Sequence, residues 1–298
     1  MSGTSPAVEP QAVEERSRDY VRFIILSGAR TGSNMLASSL NSSRNIICFR
    51  ELFNWIVNFI DFNVEGYDRM SAEARTLRAR DFKKFLQELI FCARPEEIRA
   101  VGFKMPYPHF SGFPGLLEFL VEDTEIRVLH LKRRNLLRAL VSSRIARMTG
   151  RWGEDRKPTL ASELRPANAL RAVRHPLRAA VRVRNLLWSK QELPGKAPRA
   201  PVTLSEEECR ASFMQAERDA ANYALRFSEH PMLTLYYEDL LRHRKDVFNR
   251  VQSFLSLQPR PLAVTMRRQN PEPLSGLVEN YDELHAALKN TPYAAFFD

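Results

Sequence analysis

The chain has 298 residues, 44% of them hydrophobic, which is enough for one large domain, or for one domain carrying a sizeable insertion. Its formal net charge is +10 at a pI of about 9.8, so the partners it attracts are anions: nucleotides, nucleic acid, acidic glycans or anionic lipid. Three scattered cysteines (Cys48, Cys92, Cys209) exclude a disulfide scaffold and a Cys/His zinc module, and no run of 18 apolar residues offers a membrane span.

Residues 1–19 mix Ser, Pro, Glu and Arg without an apolar h-region, which predicts a disordered tail, no secretory signal and a reducing, cytoplasmic setting. Val21–Ser27 is a short apolar run, the pattern of a strand buried on both faces. Asn34–Leu40 reads as a helix, Ile46–Phe49 as a second strand and 71–92 as one helical stretch with Phe82, Phe85, Leu86, Leu89 and Ile90 at helical spacing. Arg99–Lys104 reads as a third strand, Leu116–Val121 as a helix, Ile126–Leu131 as a fourth strand and Leu136–Met148 as the helix after it. A helix at 212–229, a fifth strand at Met232–Tyr237 and a helix at Asp246–Leu255 complete the series. Strands alternating with helices predict an α/β fold: a central parallel sheet covered on both faces, a three-layer α/β/α arrangement.

Residues 151–200 stand apart, with twelve Lys/Arg against four Asp/Glu and repeated prolines. They are expected to form a basic helical insertion at about 151–205, with a candidate helix at 177–190, in an otherwise single domain from 20 to 298.

The segment Ser27-Gly28-Ala29-Arg30-Thr31-Gly32-Ser33-Asn34 joins the first strand to a helix. Successive backbone N–H groups at a helix start form an anion nest, and the helix dipole adds positive potential. Gly32 lets the backbone approach an oxyanion; Thr31, Ser33 and Asn34 add side-chain donors, and Arg30 a fixed charge. No Lys follows Gly32, so this is not the G-x-x-x-x-G-K-[ST] loop of nucleoside triphosphatases. Taken alone, the segment is equally an ordinary capped turn. Arg134 closes the fourth strand and Ser142 lies eight residues on, a guanidinium and a hydroxyl suited to a second anion.

With both segments in order, the chain resembles the sulfotransferase family that uses 3′-phosphoadenosine-5′-phosphosulfate (PAPS). In that family a [RK]-[ST]-G-[ST]-[TN] loop in a P-loop-like fold cradles the 5′-phosphosulfate, and a later R-N-x6-S binds the 3′-phosphate. Arg30-Thr31-Gly32-Ser33-Asn34 and Arg134-Asn135 with Ser142 match these position by position, and the resemblance runs from about Val21 to Leu241.

It implies a sulfotransferase with PAPS as co-substrate, no metal, and a small-molecule or glycan acceptor, a carbohydrate or glycolipid by analogy with bacterial-type relatives. Neither a nucleic-acid partner nor a transmembrane segment is implied, although peripheral contact with a lipid acceptor fits. It assigns the general base to Glu51, in Phe49-Arg50-Glu51-Leu52-Phe53-Asn54, and electrostatic roles to Arg30 and to Lys104 at the end of the third strand. His109 is a lesser candidate for touching acceptor. His130, inside the fourth strand, reads as core, and Tyr237-Glu238-Asp239-Leu240 as mainly structural. Arg267-Arg268-Gln269-Asn270 is a loose match to a late basic loop that closes over nucleotide. Two readings stand against this one: a P-loop nucleotide-dependent kinase, and a non-catalytic polyanion-binding protein built on the 151–200 segment.

Overall fold

The structure is a computed structural model that describes residues 16–57, 59–64, 66–150, 152, 200–264, 266 and 268–297. The expected basic helix at 177–190, most of the insertion, the first fifteen residues and Arg267 lie outside the described residues. Arg16 and Ser17 pair with Pro95 and Arg94 in a two-residue antiparallel ladder.

The chain divides into two compact units, Met1–Arg134 with Gln215–Val264, and Asn135–Met214 with Thr265–Asp298. The first holds a five-stranded, all-parallel sheet. Its strands are β1 (Val21–Ser27), β2 (Ile46–Glu51), β3 (Ala100–Pro106), β4 (Arg127–Lys132) and β5 (Met232–Tyr236), in spatial order β2-β3-β1-β4-β5. Alternating side chains build two cores. Ile24 and Leu26 join Val101, Phe103, Met105 and Val128 on one face, while Phe23 and Ile25 join Leu129 and Leu131 on the other. Burial on both faces explains why these strands read as continuous apolar runs rather than alternating ones.

Helices cover each face, giving the three layers expected. Leu36, Ala37 and Leu40 of α1 (Ser33–Leu40) pack with Val247, Phe248 and Val251. On the other face Ala74 of α2 (Ala72–Arg80), Phe85 of α3 (Phe82–Phe85), and Leu116 and Leu120 of α4 (Leu116–Glu122) line a second, aromatic-rich core. The single helical stretch expected at 71–92 is in fact broken. Asp81 leaves helical geometry at φ −151°, and its carboxylate accepts from Lys84 N at 2.9 Å, capping α3. Gly102 is required where it stands, since a Cβ there would lie 2.3 Å from the Phe23 carbonyl oxygen.

In the second unit α5 (Leu136–Thr149) contributes Leu137, Val141 and Ile145 to a separate core. Val202, Cys209, Phe213, Leu277, Val278 and Leu284 complete it. Of the later helices, α6 (Glu206–Arg226) runs from this unit into the first, α7 (Tyr237–Arg242) and α8 (Arg244–Phe254) belong to the first, and α9 (Tyr281–Leu288) to the second. No helix among the described residues is long and apolar enough to cross a membrane.

His130 is a core residue, as expected: it is fully buried, and Tyr107 Oη lies 2.6 Å from its Nε2. Burial, helped by Lys132, lowers its pKa to about 4. The unfolded chain therefore takes up a proton below about pH 6.5 that the folded chain refuses. This contribution is complete above about pH 6.5 and is lost as the pH falls toward 4. Urea unfolding between pH 7 and 4.5 is expected to show stability falling by about 2–3 kcal/mol through this group. His130→Gln should flatten that part of the slope.

Candidate active site

The site grows from the carboxyl end of β1. The chain leaves β1 for β2 and β3 on one side, and β4 and β5 lie on the other, so this strand end is the topological switch point of the sheet. Ligands of open parallel sheets bind in the crevice there. The loop that follows is tightly wound, with Arg30 at φ 58° and Gly32 at φ 84°. Both sit in the left-handed region, which lets backbone N–H groups turn toward one point. Thr31 Oγ1 donates to the Gly28 carbonyl at 3.1 Å, and Arg133 Nη1 donates to the Arg30 carbonyl at 2.7 Å.

Gly32 caps α1, and its missing side chain makes room for Tyr237, since a Cβ would fall 2.4 Å from that ring. Tyr237 in turn lies under the Arg133 guanidinium, 4.6 Å from carbon to ring centroid. Tyr237 thus shapes the loop between β1 and α1. Burial lowers the pKa of Arg30, with Tyr237 and Glu51 acting against it; even so a guanidinium stays charged.

Glu51 and Lys104 meet through an irregularity in the sheet. Phe49 pairs with Phe103, yet the next partner of β2 along β3 is Glu51 opposite Lys104, so Arg50 is an inserted residue. Such a bulge re-aims the side chain after it. Lys104 Nζ donates to Glu51 Oε1 at 2.5 Å and to Asn34 Oδ1 at 2.8 Å. One ammonium therefore ties the anion loop to the proposed base. The other Glu51 oxygen accepts from Asn54 Nδ2 at 2.9 Å and stands 3.8 Å from His109 Nε2. β3 runs two residues beyond the strand end expected at Lys104, to Pro106, which places this lysine inside the sheet with 6% of its surface exposed.

Burial raises the Glu51 pKa, but the Lys104 ammonium, its hydrogen bond and His109 together outweigh it and hold the carboxyl below the usual range. Lys104 is lowered by burial against the pull of Glu51. His109 falls to about 4, chiefly by burial, and is neutral near pH 7. Its Nδ1 is buried with no hydrogen-bond partner among the described residues. Proximity to Glu51 makes His109 a stronger candidate than the sequence made it. Asn54 was not singled out in the sequence at all. An Asn three residues after the candidate base Glu51 is the signal that would have found it.

Arg134 lies at the end of β4. Its guanidinium forms a two-pronged pair with Asp239, at 2.7 and 3.0 Å, over the Tyr236 ring, and its backbone N–H donates to Glu238. The pair raises Arg134 and lowers Asp239. Asn135 caps α5, its Oδ1 accepting from Arg138 N at 2.8 Å. Ser142 is buried in α5, and Asn270 Nδ2 donates to its Oγ at 3.3 Å.

Among curated proteins the chain is similar to Nodulation protein H of Rhizobium meliloti strain 1021, 27% identical over 278 residues that span 93% of this chain and 94% of that one. Nodulation protein H of Rhizobium tropici is 27% identical over 283 residues, 93% of this chain and 92% of that one. Among solved structures, one titled as a sulfotransferase from Alicyclobacillus acidocaldarius aligns over 93% of each chain at 15% identity and a TM-score of 0.45. No protein-family profile matches the chain.

Proposed function

We infer that this chain is a sulfotransferase of the family that draws its sulfuryl group from PAPS, and we propose that the acceptor is a hydroxyl of a carbohydrate or glycolipid. One observation carries the reading: a partly buried Glu51–Lys104 pair is fastened through Asn34 to an anion loop at the switch point of a parallel sheet. A carboxylate to take a proton, a cation to meet developing charge and a nest for a phosphate are the parts that sulfuryl transfer needs.

In the proposed reaction the acceptor hydroxyl gives its proton to the Glu51 carboxylate as its oxygen bonds to sulfur. The bond from sulfur to the 5′-phosphate oxygen breaks, and its electron pair leaves on 3′-phosphoadenosine-5′-phosphate. Lys104 and Arg30 face that growing charge, and the backbone of Thr31, Gly32, Ser33 and Asn34 holds the 5′-phosphate group. The Lys104–Asn34 bond supports this division of labour, since it gives one ammonium access to base and donor loop together. Arg134 and Ser142 take the 3′-phosphate, on the strength of their spacing and the position of Arg134 at a strand end. Asp239 occupies the Arg134 fork, so the phosphate must exchange with that carboxylate.

Calorimetry with 3′-phosphoadenosine-5′-phosphate and with ATP tests the reading. The bisphosphate is expected to bind and ATP to bind more weakly. Arg134→Ala should weaken the bisphosphate by about 10- to 100-fold, the worth of a charge-assisted fork. No binding of the bisphosphate, or binding indifferent to Arg134, overturns it.

A further inference from the structure

Immediately beyond Glu51 the chain carries two large apolar residues into solvent: Trp55 is 54% exposed and Ile56 74%. They follow a segment that hydrogen bonds hold in place. Asn54 Nδ2 donates to Glu51 Oε2 at 2.9 Å, and Asn54 Oδ1 accepts from Ile56 N at 3.2 Å. The backbone carrying Trp55 is therefore fastened to the carboxylate of the proposed base. The indole is held from a second side as well. Gly112 ends the 3-10 turn Tyr107–Gly112, and a Cβ at Gly112 would lie 2.1 Å from Trp55 Cδ1 and 2.4 Å from Cγ. The pyrrole side of the ring rests on bare glycine backbone, in the turn that also brings His109 within 3.8 Å of Glu51.

An indole that is half exposed, seated against a glycine and carried by backbone that Asn54 fastens to Glu51, is not packed for the core. We propose that Trp55 is an acceptor-positioning residue, a one-sided platform on which a pyranose ring of the acceptor stacks. A sugar presents an apolar C–H face to such a ring, while its rim of hydroxyls seeks polar partners. Glu51 and His109 supply those partners in the segment and turn that hold the indole. A small phenol suits a slot in which its whole surface is buried; Trp55 is half exposed. This inference rests on the sulfotransferase reading for its role in turnover but not for the binding itself.

The test uses neutral tetrasaccharides of β-linked glucose and β-linked N-acetylglucosamine, with 4-nitrophenol as the aromatic comparator, on the full chain. A tetrasaccharide is expected to bind wild type by calorimetry. Trp55→Ala should raise its Kd, and its KM in transfer assays, by about tenfold or more with kcat changed less. Trp55→Phe, which keeps an aromatic face, should recover most of the loss. Gly112→Ala should reproduce the defect by displacing the indole, with Trp55 itself intact. Affinity for 3′-phosphoadenosine-5′-phosphate should be unchanged in all three. The proposal is overturned if neither tetrasaccharide binds wild type, if Trp55→Ala binds like wild type, or if 4-nitrophenol is the better acceptor and shows the same Trp55 dependence. Sugar binding that needs Trp55 in a protein that ignores the bisphosphate would instead sink the sulfotransferase reading and leave the platform standing.

Discussion

Glu51→Gln is expected to lower turnover by about 10²- to 10⁴-fold while 3′-phosphoadenosine-5′-phosphate binds within about twofold of wild type. The amide keeps an oxygen for Lys104 and fills the same volume, so the change removes proton acceptance and little else. Steady-state rates with labelled donor, beside calorimetry on the same preparation, separate the two readouts. The pH dependence carries a second expectation. Lys104 and His109 hold Glu51 below the ordinary carboxylate value of 4.5 despite its burial. The acidic limb of kcat/KM, which reports the free enzyme, should therefore lie below that value. A limb well above it, or full turnover in the Gln variant, would move the base elsewhere. His109, 3.8 Å away, would then be the first residue to test.

Lys104→Met is expected to cost both activity and stability, and the two losses separate in a double variant. The lysine side chain is 8% exposed and donates to Glu51 and to Asn34. Removing it leaves a partly buried carboxylate without its counter-charge, at about 3 kcal/mol, the low end for a broken buried pair. The low end applies because 23% of the Glu51 side chain still meets solvent. Turnover should fall by about 10²- to 10³-fold, the size of one lost charge stabiliser in a transition state. Adding Glu51→Gln in the same chain should restore much of the stability, since the stranded charge is gone, yet no turnover. Thermal melts and single-turnover rates on the two single variants and the double variant read this out. A Lys104→Met protein with wild-type turnover would show that the lysine serves the fold alone.

The parallel sheet was legible because strands buried on both faces need continuous apolar runs, and Val21–Ser27, Ala100–Pro106 and Arg127–Lys132 have them. The strand–loop–helix junction was legible for a local reason: a strand, a glycine and a helix start in direct succession set their own backbone geometry. The break at Asp81 was not, because a side chain capping the next turn competes with the helix period and leaves the apolar spacing unchanged.

The partners of Glu51 belong to tertiary structure. The family resemblance gave roles to Glu51, Arg30 and Lys104 without pairing any of them. The charge that meets Glu51 is Lys104, 53 residues away, because β2 and β3 lie side by side and one inserted residue, Arg50, turns Glu51 toward the lysine. Register across parallel strands depends on how two cores pack at once, which local patterning does not encode. The same holds for Gly32: the sequence marks a residue able to take φ 84°, but the reason a side chain is excluded is the Tyr237 ring, brought in by the turn after β5. The sequence by itself determined the strand–helix alternation and the chemistry of the loop, since both are written in neighbouring residues. Only the folded sheet decided that Glu51, Lys104 and His109, distant in sequence, meet side by side.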